Sequence, residues 1–215
     1  MEELPLVVAG HMLPDPLDRI RRYCGLPWSG GPPETWAWNY YDAVPTDPDD
    51  NVTAIDVLCA AALHPGLSRT DLAFFRDQKM DLSGWLADVP QDTRLWEASE
   101  PVIEHLISLP VRFPNVSAAL LSKVLHRKRP HLIPLLDRHV VDWYRPLTGK
   151  RVMADAWGPI IKAMRDDECD DKQRLLYSIA FVRIEGEISL LADTDHRQRL
   201  SWIRAVDIAI WMASR

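Results

Sequence analysis

From Asn51 onward the apolar residues recur every three or four positions, punctuated by capping residues and prolines, and almost never alternate. That is the period of an amphipathic helix; a half-buried strand would alternate. This one property confines the chain to an all-α architecture. "NVTAIDVLCAAALH" (51–64) follows the acidic loop "TDPDD", with Asn51 or Thr53 placed to cap it. "LSRTDLAFFRDQK" (67–79) and "DLSGWLADV" (81–89) predict two short helices. "SEPVIEHLISL" (99–109) sets Ser99 ahead of Pro101, a good first-turn proline, and Pro110 closes it. "NVSAALLSKVLHRK" (115–128), "DRHVVDWYRPL" (137–147), "ADAWGPIIKAMRD" (154–166), "DKQRLLYSIAFVRIE" (171–185) and "DHRQRLSWIRAVDIAIWMAS" (195–214) continue the series. Only "WAWNYY" (36–41) hints at a strand, and it is short and isolated. The expectation is one multi-helix globular domain over 1–215, long enough for a substantial core.

One stretch interrupts the pattern. Residues 25–50 hold five prolines, three glycines and three tryptophans. A disordered segment seldom carries Trp28, Trp36, Trp38, Tyr40 and Tyr41, so the composition predicts an ordered loop laid over the helical body. Its aromatics serve either as core cover or as a stack for a base or ring.

Charge is distributed unevenly. Between Arg112 and Arg151 there are nine Lys/Arg against two acids, a net +7 inside a chain of net −6, which leaves −13 for the remainder. A net acidic protein does not coat polyanions generally, but a basic segment inside it can form a local anion face. The three cysteines, Cys24, Cys59 and Cys169, show no CxxC or Cys/His metal spacing and suit buried free thiols in a reducing cytoplasm. The opening "MEELPLVVAGHMLP" has no basic region before its short apolar run, and no run approaches a membrane span. The expectations are a soluble cytoplasmic protein with no membrane partner, no metal and no cofactor.

The basic segment is built around residues 115–147. On 115–128, Val116, Leu120, Leu121, Val124 and Leu125 fall within one half of the helical wheel, and Lys123 lies on the edge of the other with Ala119 and His126. Pro130 stops that helix, "HLIPLL" crosses as a short apolar connector, and Asp137 is placed to cap the next helix. Lys123, Arg127, Lys128, Arg129, Arg138 and His139 gather at this junction.

The stretch "VSAALLSKVLHRKRPHLIPLLDRHV" carries two resemblances. With "SWIRAVDIAIWM" (201–212) it resembles a bacterial domain family of unknown function whose pattern runs K-L-L-x-R-K-R-P-x-L-x-P-x-x-D-x-x-V; that resemblance implies a grouping and no activity. "LIPLLDRHV" also looks like the P-x-x-x-D-T-H-V stretch of the helix-hairpin-helix DNA glycosylases. It implies a glycosylase-like architecture with Asp137 at the catalytic aspartate and His139 at the following histidine. The family's glycine turn is replaced by "FPNVS" (113–117), and no iron–sulfur cysteine set follows. The family's lysine position falls near Ala119; Lys123, fourteen residues before Asp137, is the nearest lysine.

Base excision needs a carboxylate near the sugar that becomes cationic, and some such enzymes add an amine of depressed pKa. Asp137 and Lys123 are the candidates, with Arg127, Lys128, Arg129, Arg138 and His139 as phosphate or anion ligands and DNA meeting the segment 112–151. Two other function classes stay open: a non-enzymatic nucleic-acid or anion-binding module, and a helical small-molecule-binding protein with Trp36, Trp38 and Tyr40 over a pocket. Plain structural roles compete throughout. Asp137 suits a helix cap, and "RKR" suits a solvated helix end on the negative dipole pole. His126, His131 and His139 lack metal spacing, and Arg204 with Asp207 suits an i,i+3 ion pair. The acidic runs "DPDD" and "DDECDD" lack the calcium-loop pattern and suit helix-flanking caps.

Overall fold

The computed structural model describes residues 6–31, 38–46, 49–63, 66–171, 174, 175, 186 and 200–214. Trp36, most of the helix expected over 171–185 and the first residues of the one expected over 195–214 lie outside them.

The chain enters through an antiparallel hairpin, β1 (Leu6–Val8) and β2 (His11–Leu13), in the register Leu6↔Leu13, Val7↔Met12 and Val8↔His11. Its two turn residues, Ala9 (φ 54°) and Gly10 (φ 75°), are both left-handed, as a two-residue I′-type turn demands. Helices α1 (Pro16–Tyr23), α2 (Ala54–Ala62), α3 (Arg69–Asp77), α4 (Lys79–Ala87) and α5 (Glu100–Ile107) follow. Then come α6 (Leu109–Arg112), α7 (Ala118–His126), α8 (Arg138–Thr148), α9 (Met153–Cys169) and α10 (Trp202–Ala213).

The all-α expectation describes the body of this mostly helical protein, with two corrections at its N-terminal end. The hairpin was not anticipated, because three-residue strands are too short to register an alternating pattern. In the suspected strand 36–41, residues Trp38–Tyr40 form a 3-10 turn instead, with Trp38 buried and Tyr40 66% exposed. Capping explains several boundaries. Thr53 and Asp56 form a reciprocal capping box at α2, as do Ser68 and Asp71 at α3. Ser201 accepts from Arg204 N–H to start α10. Pro110 does not close the chain's helical course but opens the four-residue α6.

The buried side chains form one core cluster. Helix α1 lies along α10; α9, the longest of the described helices, touches α5, α7, α8 and the first strand; α2 packs on α7. Trp157 of α9 is sealed in this core and donates its Nε1–H to Leu106 O at 2.7 Å. Helix α7 sits deepest, with every residue from Ala119 to His126 buried. A helix covered on all sides must satisfy its polar groups internally. Ser122 therefore donates to Ala119 O at 2.9 Å and accepts from Leu136 N–H at 3.1 Å, tying the helix to the 127–137 connector. His126 Nδ1 bonds Ile133 O of the same connector at 2.6 Å.

Among the described residues no helix is long and apolar enough to cross a membrane, and no group of three or more His, Cys, Asp or Glu could hold a metal ion. Cys24 and Cys59 are buried free thiols, whereas Cys169, expected inside, is exposed.

Candidate functional site

The three central cations of the basic segment face inward. Arg127, Lys128 and Arg129 are 3%, 4% and 1% exposed. Arg127 donates from Nε to Asp56 Oδ1 at 3.0 Å, from Nη1 to Tyr41 O at 2.6 Å, and from Nη2 to Val44 O and Pro45 O, both at 3.1 Å. Lys128 Nζ lies 3.0 Å from Asp56 Oδ2. Arg129 donates to Val89 O at 2.8 Å, Lys128 O at 2.9 Å and Leu86 O at 3.0 Å, and pairs with Asp50. The expected convergence of these three on an open anion-binding face is therefore corrected. Their counter-charges come from Asp50 and Asp56, outside the basic segment, and buried cations hold their place only when paired in this way.

Asp56 is the shared acid. Burial pushes its carboxyl up, but donors from Thr53, Lys128 and Thr46 outweigh that and hold it below the usual carboxylate range. Nothing in the sequence distinguishes it from an ordinary N3 capping acid, the role it also fills.

The remaining candidates gather where α7 meets the start of α8. Asp137 is half-buried and caps α8 through Oδ1, accepting from His139 N–H at 2.8 Å and Val140 N–H at 3.1 Å. Its Oδ2 accepts no hydrogen bond among the described residues. Arg138 is exposed and His139 half-buried.

Lys123 is 2% exposed, and its Nζ has no hydrogen bond or ion pair to a described residue. Burial lowers the pKa of its amine; the carboxylates of Asp137 and Asp207 work against that, and Arg204 adds to it. Lys123 and Asp137 thus stand within electrostatic reach across the fourteen residues that separate them, and the sequence did not anticipate Asp207 as the third member.

Asp207 is fully interior, and burial pushes its carboxyl up to about 7 despite Arg204 and Lys123, with the Asp137 charge adding to the rise. The expected Arg204–Asp207 pair on α10 is present. It belongs to a larger network. Arg204 grips Asp42 with two parallel bonds, Nε to Oδ1 and Nη2 to Oδ2, each 2.7 Å, and donates from Nη2 to Tyr23 OH at 2.6 Å. Tyr23 OH donates to Asp42 Oδ2 at 2.7 Å, and Tyr41 OH donates to Lys123 O at 2.6 Å. The aromatic loop is stitched through this network to the two helices that carry the charged centre.

Trp38, Tyr41, His126 and Arg204 line a cavity of about 30 Å³ beside the network. That is room for a water, not for a base. Since Ile133 O can only accept, His126 carries its proton on Nδ1; burial, with Arg204, lowers its pKa to about 3, so the ring is neutral.

A family of unknown function (DUF6308) matches residues 16–214. The chain belongs to that family. The match begins in α1, so the hairpin lies outside it while the aromatic loop, α7, the start of α8 and α10 lie within. No curated protein and no solved structure matches the chain.

Proposed function

We propose that the chain is a DNA-interacting enzyme with glycosylase-like architecture, cleaving an N-glycosidic bond at a centre formed by Lys123, Asp137 and Asp207. The observation that carries this is the buried Lys123 amine, unpaired among the described residues, within the fields of the Asp137 and Asp207 carboxylates. A lysine amine of lowered pKa has its lone pair available at neutral pH more often than a surface lysine, which a nucleophile requires. Asp137, with Oδ2 uncommitted, stabilises positive charge on the sugar as the C1′–N bond breaks and the base departs with the electron pair. Lys123 or a water then bonds to C1′ and gives up a proton, with Asp207 the nearby acceptor. The target nucleotide leaves the stack to reach this interior group. Arg138 and His139 contact phosphates beside Asp137, and the exposed Arg112, Arg145, Lys150 and Arg151 supply longer-range attraction; the interior Arg127, Lys128 and Arg129 take no part.

Anisotropy titration of duplex DNA, with and without a lesion, at roughly 50 and 200 mM salt tests the partner; affinity should fall with salt. No binding at low salt refutes it. Asp137→Asn and Lys123→Ala should each abolish base release while leaving affinity within about twofold. Release unchanged by either variant refutes the centre, and wild-type binding without release leaves a non-enzymatic module.

A second reading, a small-molecule-binding helical protein, rests on a separate feature, an open groove of about 660 Å³ that is not lined by the aromatics Trp38 and Tyr40 expected over such a pocket.

A further inference from the structure

That groove lies between the hairpin turn and helices α5, α8 and α9, with Ile107, Leu147, Pro159 and Ala163 as apolar walls and Asp166 and Asp167 at its polar side. Its size is that of a site for a small organic molecule. Gly158 lets α5 and α9 close up beneath it, since a Cβ there would meet Ile107 Cγ2 at 3.0 Å. Leu147 stands 60% exposed on the rim.

Asp167 is half-buried in this wall and accepts two bonds on one oxygen: Ala9 N–H at 3.0 Å and Tyr144 O–H at 2.9 Å. Neither Asp166 nor Asp167 has a cation within ion-pair distance among the described residues. Lys162, exposed and one helical turn before Asp166, also lines the groove, so its lining carries two acids against one cation. Desolvation raises the Asp167 carboxyl, the two donors counter it in part, and Asp166 raises it further. The wall therefore offers two carboxylates, one of them partly stripped of water, beside apolar surface, with no cation within ion-pair distance of either among the described residues.

We propose that this groove binds a small organic cation, an ammonium group on an apolar body, with the ammonium against Asp166 and Asp167 and the body along Ile107, Leu147 and Ala163. A neutral analogue would gain only the apolar contact, and an anion would be repelled. The site is separate from the Lys123 centre and stands whether or not that centre is catalytic.

Hexylammonium, hexan-1-ol and hexanoate share one chain and differ in charge, so they are the probes. Each is titrated into the full chain and followed by amide chemical shifts at Gly10, Gly158 and Ala163. Hexylammonium should give saturable shifts there, hexan-1-ol should bind about tenfold more weakly, and hexanoate should give none. Asp167→Asn keeps an oxygen for Ala9 N–H and Tyr144 O–H, and should weaken hexylammonium about tenfold. Asp166 is exposed, so Asp166→Asn leaves the fold intact and should weaken it severalfold even if the other variant fails to fold. Equal binding of hexylammonium and hexan-1-ol, saturable shifts confined to other residues, no saturable shift at all, or affinity unchanged in Asp166→Asn overturns the site.

Discussion

Removing the Asp56 carboxylate should cost this protein much of its stability. Asp56 is 1% exposed and faces Arg127 Nε at 3.0 Å and Lys128 Nζ at 3.0 Å, two cations themselves 3% and 4% exposed. Asp56→Ala removes the acid that these two interior charges share. Breaking a buried pair from one side costs about 3–5 kcal/mol, and loss of the reciprocal cap at α2 adds about 1 kcal/mol. Arg127 keeps its three carbonyl acceptors, which argues for the lower half of that range, so the expected loss is about 4–5 kcal/mol. A whole domain holds only about 5–15 kcal/mol. In urea, with a slope of about 2–3 kcal/mol per molar, the unfolding midpoint should fall by roughly 2 M. Asp50→Ala is the milder comparison: Asp50 is 34% exposed and Arg129 keeps its three carbonyl acceptors, so the loss should be smaller than in Asp56→Ala. A loss below about 1 kcal/mol in Asp56→Ala would show that Arg127 and Lys128 reach solvent, and would restore the open anion face.

Three further outcomes follow from buried titratable groups. Burial pushes Glu168 up to about 7, and its Oε2 has no hydrogen-bond partner among the described residues. The fold thus binds a proton that the unfolded chain releases near pH 4.5, so stability falls as pH rises from there to about 7 and then levels off. Glu168→Gln should remove that loss, gaining on the order of 2–3 kcal/mol at pH 8 and little at pH 4, as read by thermal melts at both. Lys123→Met should stabilise the fold by roughly 1–3 kcal/mol near neutral pH, because it removes a buried amine with no ion pair among the described residues; a loss of stability in urea would show that the amine is paired. The native protein should react with a thiol reagent at one cysteine, the exposed Cys169, while Cys24 and Cys59 react only on unfolding; peptide mapping of the label checks this.

The helical body was legible because its signals are local. Thr53 and Asp137 declare helix starts by their own side chains, and the apolar period supplies most of the rest, although the cap at Ser201 falls inside the helix expected over 195–214. The hairpin was not legible, since its turn is Ala9–Gly10 in place of an Asn-Gly or Asp-Gly pair, with three-residue arms. Asp137 was readable as the cap of α8 after a short connector.

The basic segment was misleading for a physical reason. Charge that is segregated along the chain need not be segregated in space: Asp56 and Asp50 lie 71 and 79 residues from Arg127 and Arg129 and neutralise them inside the core. Arg204 and Asp42, 162 residues apart, give the same lesson. The segment's exposed cations are Arg112 at the end of α6, Arg138 and Arg145 on α8, and Lys150 and Arg151 just after it.

The most direct test of the proposed centre is the titration of Lys123 itself, followed through its 13Cε shift in lysine-labelled protein and assigned with Lys123→Met. The Lys123 amine should lose its proton below the other lysines, whose ordinary value is about 10.4, and Asp137→Asn should move it lower still because the opposing carboxylate is gone. Titration of Lys123 together with the surface lysines, unmoved by Asp137→Asn, would contradict both the burial of the amine and its coupling to Asp137.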